Sequence, residues 1–324
     1  MEKEKKGLNL KKTAKLAGTL IMIAALAFIV KKFVDMDIDP AQFREPEVIA
    51  ALVIGMVIQT FIWIIACYPW LVFTRSLSGR KIPFSEAMPV YTQSNIYKYL
   101  PGNVLQYVGR NALASKMGIS HVDVACATIL DIIFCIIAAG LVSVILLGDL
   151  ISGLLGKYGT QILIVGSIGI AVLAAAAAVL YLKFRDRFRS YLSRYAKAFE
   201  KGNRIQLIKG ILYYLVQNVI SAVMYFIALK LIFGNEADFN ELVSYTGAFL
   251  FAWIIGFITI GAPGGIGVRE GVMIFVCGDK YADKIILFVL VMRIASTLAD
   301  VIAFVFGKTY LAVKNHGSAE HKNI

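Results

Sequence analysis

GAPGGIGVREG, residues 261–271, sits between two strongly apolar runs, and its reading decides the architecture. A glycine-rich stretch of this kind can cradle a phosphate. The spacing here is GxGxxxG from Gly265 to Gly271, with no Lys-Ser/Thr pair and no preceding βαβ unit. A nucleotide loop is therefore a poor match. The alternative is a helix break inside a membrane, and the rest of the chain favours it.

The chain has 324 residues, of which 59% are hydrophobic and only 17% charged. Such a sequence cannot give a soluble domain its polar skin. Apolar stretches occur at 16–34, 48–73, 122–147, 160–182, 210–233 and 285–307. Each is long enough to cross ~30 Å of hydrocarbon. A seventh run, 242–260, leads into the opening motif, and a half-polar segment covers 84–108. The expected fold is an all-α polytopic integral membrane protein with about six to eight transmembrane helices. It forms a single membrane domain over 1–324, since the longest polar stretch, 183–209, lacks the apolar residues for a core. Leu16–Val30 follows basic residues as a signal would, but Lys31 and Lys32 come directly after it, so an uncleaved anchor is expected.

The net charge of +12 lies beside the spans, which explains it by topology and gives no reason to expect nucleic acid. Six lysines precede residue 16, and nine basic residues face only Asp186 and Glu200 across 183–209. Both segments are expected inside, the second also attracting anionic lipid headgroups. The acidic stretches DMDIDPAQFREPE after the first span and GNEADFNE at 234–241 fit the outside, and Lys308, Lys314 and Lys322 put the C-terminus inside. The expected location is the plasma membrane, with both termini cytoplasmic. The four cysteines lie in apolar segments without a CxxC pair, and the three histidines have no ligand spacing, so neither metal nor cofactor is expected.

This topology leaves 84–108 entering and leaving on the inner side, and 242–278 doing the same on the outer side. The limb Val268–Cys277 spans only ~15 Å as a helix, about half a bilayer. Both segments are expected to be re-entrant hairpins. An amphipathic helix lying on the inner surface is the alternative for the first. The hairpins share words, PGNVLQYVGR and PGGIGVRE, and each precedes a span with a related hexamer, TILDII or TLADVI. An inverted-topology repeat follows, with halves 10–148 and 159–312.

The breaks are expected at Pro101, Gly102, Pro263, Gly264, Gly265 and Gly267. Polar and ionisable residues beside them are candidates for a lipid headgroup site: Lys98, Asn103, Gln106, Arg110, Asp131, Arg269, Glu270, Arg293 and Asp300. Arginine forks suit phosphate. The competing reading is a set of buried ion pairs that fix helix register, such as Arg293 with Asp131 or Asp300. Trp63, Trp70 and Trp253 read as interface anchors or packing.

YKYLPGNVLQYVGR and GAPGGIGVREG in a basic chain of this length resemble the lysylphosphatidylglycerol synthase transmembrane-region family, over about 10–312. That family includes the membrane portion of the multiple peptide resistance factor. The resemblance implies a flippase-like role for an anionic or aminoacylated lipid, a link to antibiotic resistance, and a partner enzyme that supplies the lipid. It carries a family-level expectation of phosphatidylglycerol lysyltransferase activity. The chain ends about 17 residues after its last span, with no room for the transferase domain, so catalysis is not the leading expectation. By the resemblance, Pro101, Gly102, Arg110, Pro263, Gly264, Gly267, Arg269 and Glu270 match the family pattern. A polyprenyl-phosphate lipid is a further candidate substrate. A polyprenyl-phosphate-dependent glycosyltransferase is the enzymatic alternative, resting on Asp35, Asp37 and Asp39 outside the first span.

Overall fold

The computed structural model describes residues 40–99, 104–148, 150–153, 156, 159–160, 196, 204–259, 265 and 267–320. The expected span 16–34, the acidic loop 35–39, the body of span 160–182 and most of the 183–209 run lie outside the described residues. So do Pro101, Gly102, Asn103, Pro263 and Gly264.

Among the described residues the structure is helical, with no strand. The main helices are α1 (Pro46–Ile65), α2 (Cys67–Ser78), α3 (Phe84–Asn95), α4 (Leu105–Ser115), α5 (His121–Leu147), α6 (Arg204–Phe233), α7 (Phe239–Ile258), α8 (Val268–Cys277) and α9 (Ala282–Glu320). Five stretches are long and apolar enough to cross a membrane: Pro46–Ser78, His121–Leu147, Arg204–Phe233, Phe239–Ile258 and Asp279–Lys314. The protein is thus an all-α polytopic membrane protein. The span expected at 48–73 runs on to Ser78, as α1 and α2 joined at Ala66.

Local chemistry sets the helix ends. Pro46 opens α1, where its missing N–H costs nothing. Asp238 caps α7 by accepting from Glu241 N at 2.8 Å, while Glu241 Oε2 accepts from Asp238 N at 3.1 Å. Gly79, at φ 67°, ends α2 in the left-handed region.

The long helices turn one apolar face outward. On α1, Ile49, Val53, Val57, Phe61 and Ile65 recur every four residues on the exposed side. Val48, Ala51, Gly55 and Ile62 face the core. An exposed apolar stripe suits lipid, so helix association inside rests on close packing of small residues. A Cβ at Gly55 would meet Met292 and Ala295 of α9 at 3.0 and 3.1 Å, and one at Gly247 would meet the Leu147 backbone nitrogen at 2.6 Å. Ser143 of α5 donates to the Gly247 carbonyl at 2.8 Å.

Two helix–break–helix units lie within this bundle. In the first, α3 and a 3-10 turn at Ile96–Tyr99 precede the break, and α4 follows it. Its second limb continues to Ser115, beyond the boundary of 108 expected from hydropathy. In the second, α7 precedes the break and α8 follows it. The two limbs of each unit pack together. Their outer contacts are exchanged: α3 packs on α9, and α7 packs on α5. A Cβ at Gly307 of α9 would come within 2.1 Å of Thr92 Oγ1 in α3.

Candidate functional site

Breaking a helix in lipid frees backbone groups that must find partners. In the second unit the partners are charged. Gly265 and Gly267 take φ values of 72° and 81°, which side chains with a Cβ rarely adopt. Gly267 N, at the start of α8, donates to Glu270 Oε2 at 2.9 Å. The Gly265 carbonyl accepts from Arg293 Nη2 at 2.6 Å. Arg293 and Glu270 join these contacts, with Nη2–Oε2 at 3.1 Å and Nε–Oε1 at 2.6 Å. The latter is a close charge contact without hydrogen-bond alignment. Glu270 and Arg293 are both buried. Arg293 therefore pairs with Glu270, which corrects the expected pairing with Asp131 or Asp300. Hydropathy could not show this, because the pairing depends on how the start of α8 lies against the middle of α9.

The first unit is held by Arg110, which is 2% exposed. Its Nη1 donates to Asp131 Oδ2 at 3.2 Å, Nη2 to Asn95 Oδ1 at 3.0 Å and Nε to Ser94 Oγ at 3.3 Å. The guanidinium carbon sits 3.7 Å from the centre of the Tyr91 ring. Asp131 also accepts from the Tyr214 hydroxyl and, at 3.5 Å, from Tyr91. The cluster links α3, α4, α5 and α6, and each of its members is buried. Gln106 is buried as well.

Between the units lies a third group. Lys98 Nζ and the Tyr99 hydroxyl both approach Asp300 Oδ2 of α9, each at 2.6 Å. The Tyr99 oxygen lies 3.3 Å from Thr297 Oγ1. Lys98 Nζ also sits 4.3 Å from the centre of the Trp63 ring. Its side chain keeps 19% of its surface accessible, against 1% for Asp300. Asp300 Oδ1 is buried and has no hydrogen-bond partner among the described residues.

Arg269, on the first turn of α8, is the exception among these cations. Its stem crosses Gly256 of α7, where a Cβ would come within 2.9 Å of Arg269 Cγ and 3.1 Å of Nε. A Cβ at Gly265 would meet Gly256 Cα at 2.9 Å, so two glycines make room for the break and for this side chain. Among the described residues Arg269 is in no ion pair, and its buried Nε has no hydrogen-bond partner. Its charge is close enough to act on Asp300 and Tyr99.

Of the expected residues, the structure brings Lys98 and Asp300 together, Arg110 and Asp131 together, and Glu270 and Arg293 together. Tyr91, Tyr99, Tyr214 and Thr297 were not expected. The repeated Thr-x-x-Asp words contain a signal for the last. Thr128 accepts from Trp70 Nε1 at 3.2 Å, and Thr297 lies against Tyr99 in the same way. Trp70 is fully buried and belongs to the core. Among the described residues no group of His, Cys, Asp and Glu is arranged to hold a metal ion.

Comparison with known families matches residues 15–303 to the lysylphosphatidylglycerol synthase transmembrane region. No curated protein matches the chain. The match covers most of the sequence, and the chain belongs to that family.

Proposed function

We propose that this member of the lysylphosphatidylglycerol synthase transmembrane-region family carries an anionic lipid headgroup between leaflets, at the junction of the two helix breaks. The observation that carries the reading is Arg269: a half-buried arginine at the start of α8 whose buried Nε has no hydrogen-bond partner, and which is in no ion pair, among the described residues. An unpaired buried charge is costly and marks a substrate path in membrane proteins. A phosphate oxygen is the partner it fits. Neighbouring Lys98 is paired yet partly accessible, so an incoming headgroup can compete for it.

The breaks serve as the turns of two re-entrant hairpins in an inverted-topology repeat. The exchanged packing of α3 on α9 and α7 on α5 supports this, as does the length of α8, ~15 Å against ~30 Å of hydrocarbon. Such repeats rock against each other to alternate access. The charge distribution supports a plasma-membrane location with both termini on the cytoplasmic side. An aminoacylated phosphatidylglycerol or a polyprenyl phosphate fits the same site, the former supplied by a separate enzyme.

The test is leaflet exchange in liposomes carrying labelled phosphatidylglycerol, lysylphosphatidylglycerol or a polyprenyl phosphate. The protein should accelerate at least one of the three. Arg269→Met keeps the stem over Gly256 and removes the charge, and it should abolish exchange in a folded protein. Acceleration of none, or full exchange by the variant, would overturn the reading.

A further inference from the structure

A second cationic site lies away from the hairpins, where α2 ends and α6 begins. A pocket of about 470 Å³ opens there, lined by Val72, Arg75, Ser76, Arg80, Lys81 and Gln206, with the Gly79 turn at its edge. Three of these residues are cations and none is an acid. Among the described residues neither arginine nor Lys81 is in an ion pair.

The arginines are held in place by backbone rather than by carboxylates. Arg75 donates from both Nε, at 2.7 Å, and Nη2 to the Ile82 carbonyl, which closes the Gly79–Ile82 turn. Arg80 Nη1 donates to the Met117 carbonyl at 3.0 Å. Its guanidinium lies over Gly118, where a Cβ would come within 2.7 Å of Nη1. Neutral anchors fix the position of these groups and leave their charge uncompensated. Basic residues at a helix C-terminus also complement the macrodipole, but that effect needs one charge near the last turn, not three around one pocket.

We propose that this pocket binds one phosphate group, with Arg80 and Lys81 as its direct contacts and Arg75 as the residue that shapes the turn. Both helices that frame it reach the end of a membrane-crossing stretch there, at Ser78 and Arg204. The group is thus placed at headgroup depth, and it can come from a phospholipid or from a soluble phosphate ester. The site shares no residue with the hairpin junction, so it is independent of the transport reading.

The full chain in phosphatidylcholine nanodiscs is titrated with phosphatidylglycerol, and retained lipid is counted by native mass spectrometry. In a separate arm, glycerol phosphate is added as competitor. Wild type should retain one phosphatidylglycerol that Arg80→Gln/Lys81→Gln binds at least ~10-fold more weakly, as expected for lost charge-assisted bonds. Displacement by millimolar glycerol phosphate would assign the site to soluble phosphates, and persistence would assign it to lipid. Lys116→Gln/Lys308→Gln removes the same net charge at exposed positions and should bind like wild type. Equal retention in all three proteins, or equal loss in both variants, would overturn the proposal.

Discussion

Arg110→Met should unfold the protein at a much lower temperature, although it preserves most of the side-chain volume. The guanidinium is 2% exposed and satisfies Asp131, Asn95 and Ser94 at 3.0–3.3 Å. Removing it leaves the Asp131 carboxylate buried with tyrosine hydroxyls alone. Breaking one side of a buried pair costs about 3–5 kcal/mol. At ~2–4 °C per kcal/mol for a chain of this order, the midpoint falls by on the order of 10 °C. Cys67 and Cys126 are both fully buried thiols outside any disulfide, so a thiol-reactive dye in detergent reports the transition. Arg110→Met/Asp131→Leu removes both charges and should recover more than half of the loss, because a dry apolar pair has no stranded ion. It should also keep leaflet exchange, since all three guanidinium nitrogen positions already have protein partners. A midpoint within about 2 °C of wild type for Arg110→Met would refute the buried network, on the same scaling. A double variant no better than the single one would refute the stranded-charge argument.

Other perturbations separate the remaining roles. Glu270→Gln should lower the same midpoint by the equivalent of about 3–5 kcal/mol, because it removes the carboxylate charge beside Arg293 and weakens the cap on Gly267, and an unchanged melt would contradict that role. Lys98→Met should destabilise less than Arg110→Met, since Lys98 is partly accessible and Tyr99 still donates to Asp300; a larger drop would contradict that ranking. Gly307→Ala should destabilise by crowding Thr92 Oγ1, and adding Thr92→Ala should restore the melt; failure of rescue would place the clash elsewhere. Asp238→Ala should cost only ~1 kcal/mol, the usual value of a lost cap, and a far larger effect would mean that the α7 start is more than a cap.

The membrane class and the long helices were legible because lipid imposes a length and a composition on every span. Gly265 and Gly267 take a positive φ, and glycine marks such points in any sequence. Helix ends were read less well. Ser78 and Ser115 lie several residues past the hydropathy boundaries, because their last turns are amphipathic and are kept helical by packing on α5.

The functions of individual charges were the least legible part. Arg110 and Arg269 look alike in sequence, each shortly after a Pro-Gly break and each followed some 20–30 residues later by an aspartate within a span. Both read as headgroup contacts. They differ through residues that neither motif contains. Ser94 and Asn95 lie one turn apart from Tyr91 on α3, so α3 presents two acceptors and a ring face to Arg110, and Asp131 completes the set. At the matching position of the second unit, α7 presents Gly256, which has no side chain to offer. Asp300 is met by Lys98 and Tyr99 of the other unit. The same word in two halves therefore yields one arginine closed into the scaffold and one that, among the described residues, has no ion-pair partner. A repeat whose halves differ in this way has its asymmetry in the partners of the charge, and the transport test on Arg269 addresses the half in which no ion-pair partner is found among the described residues.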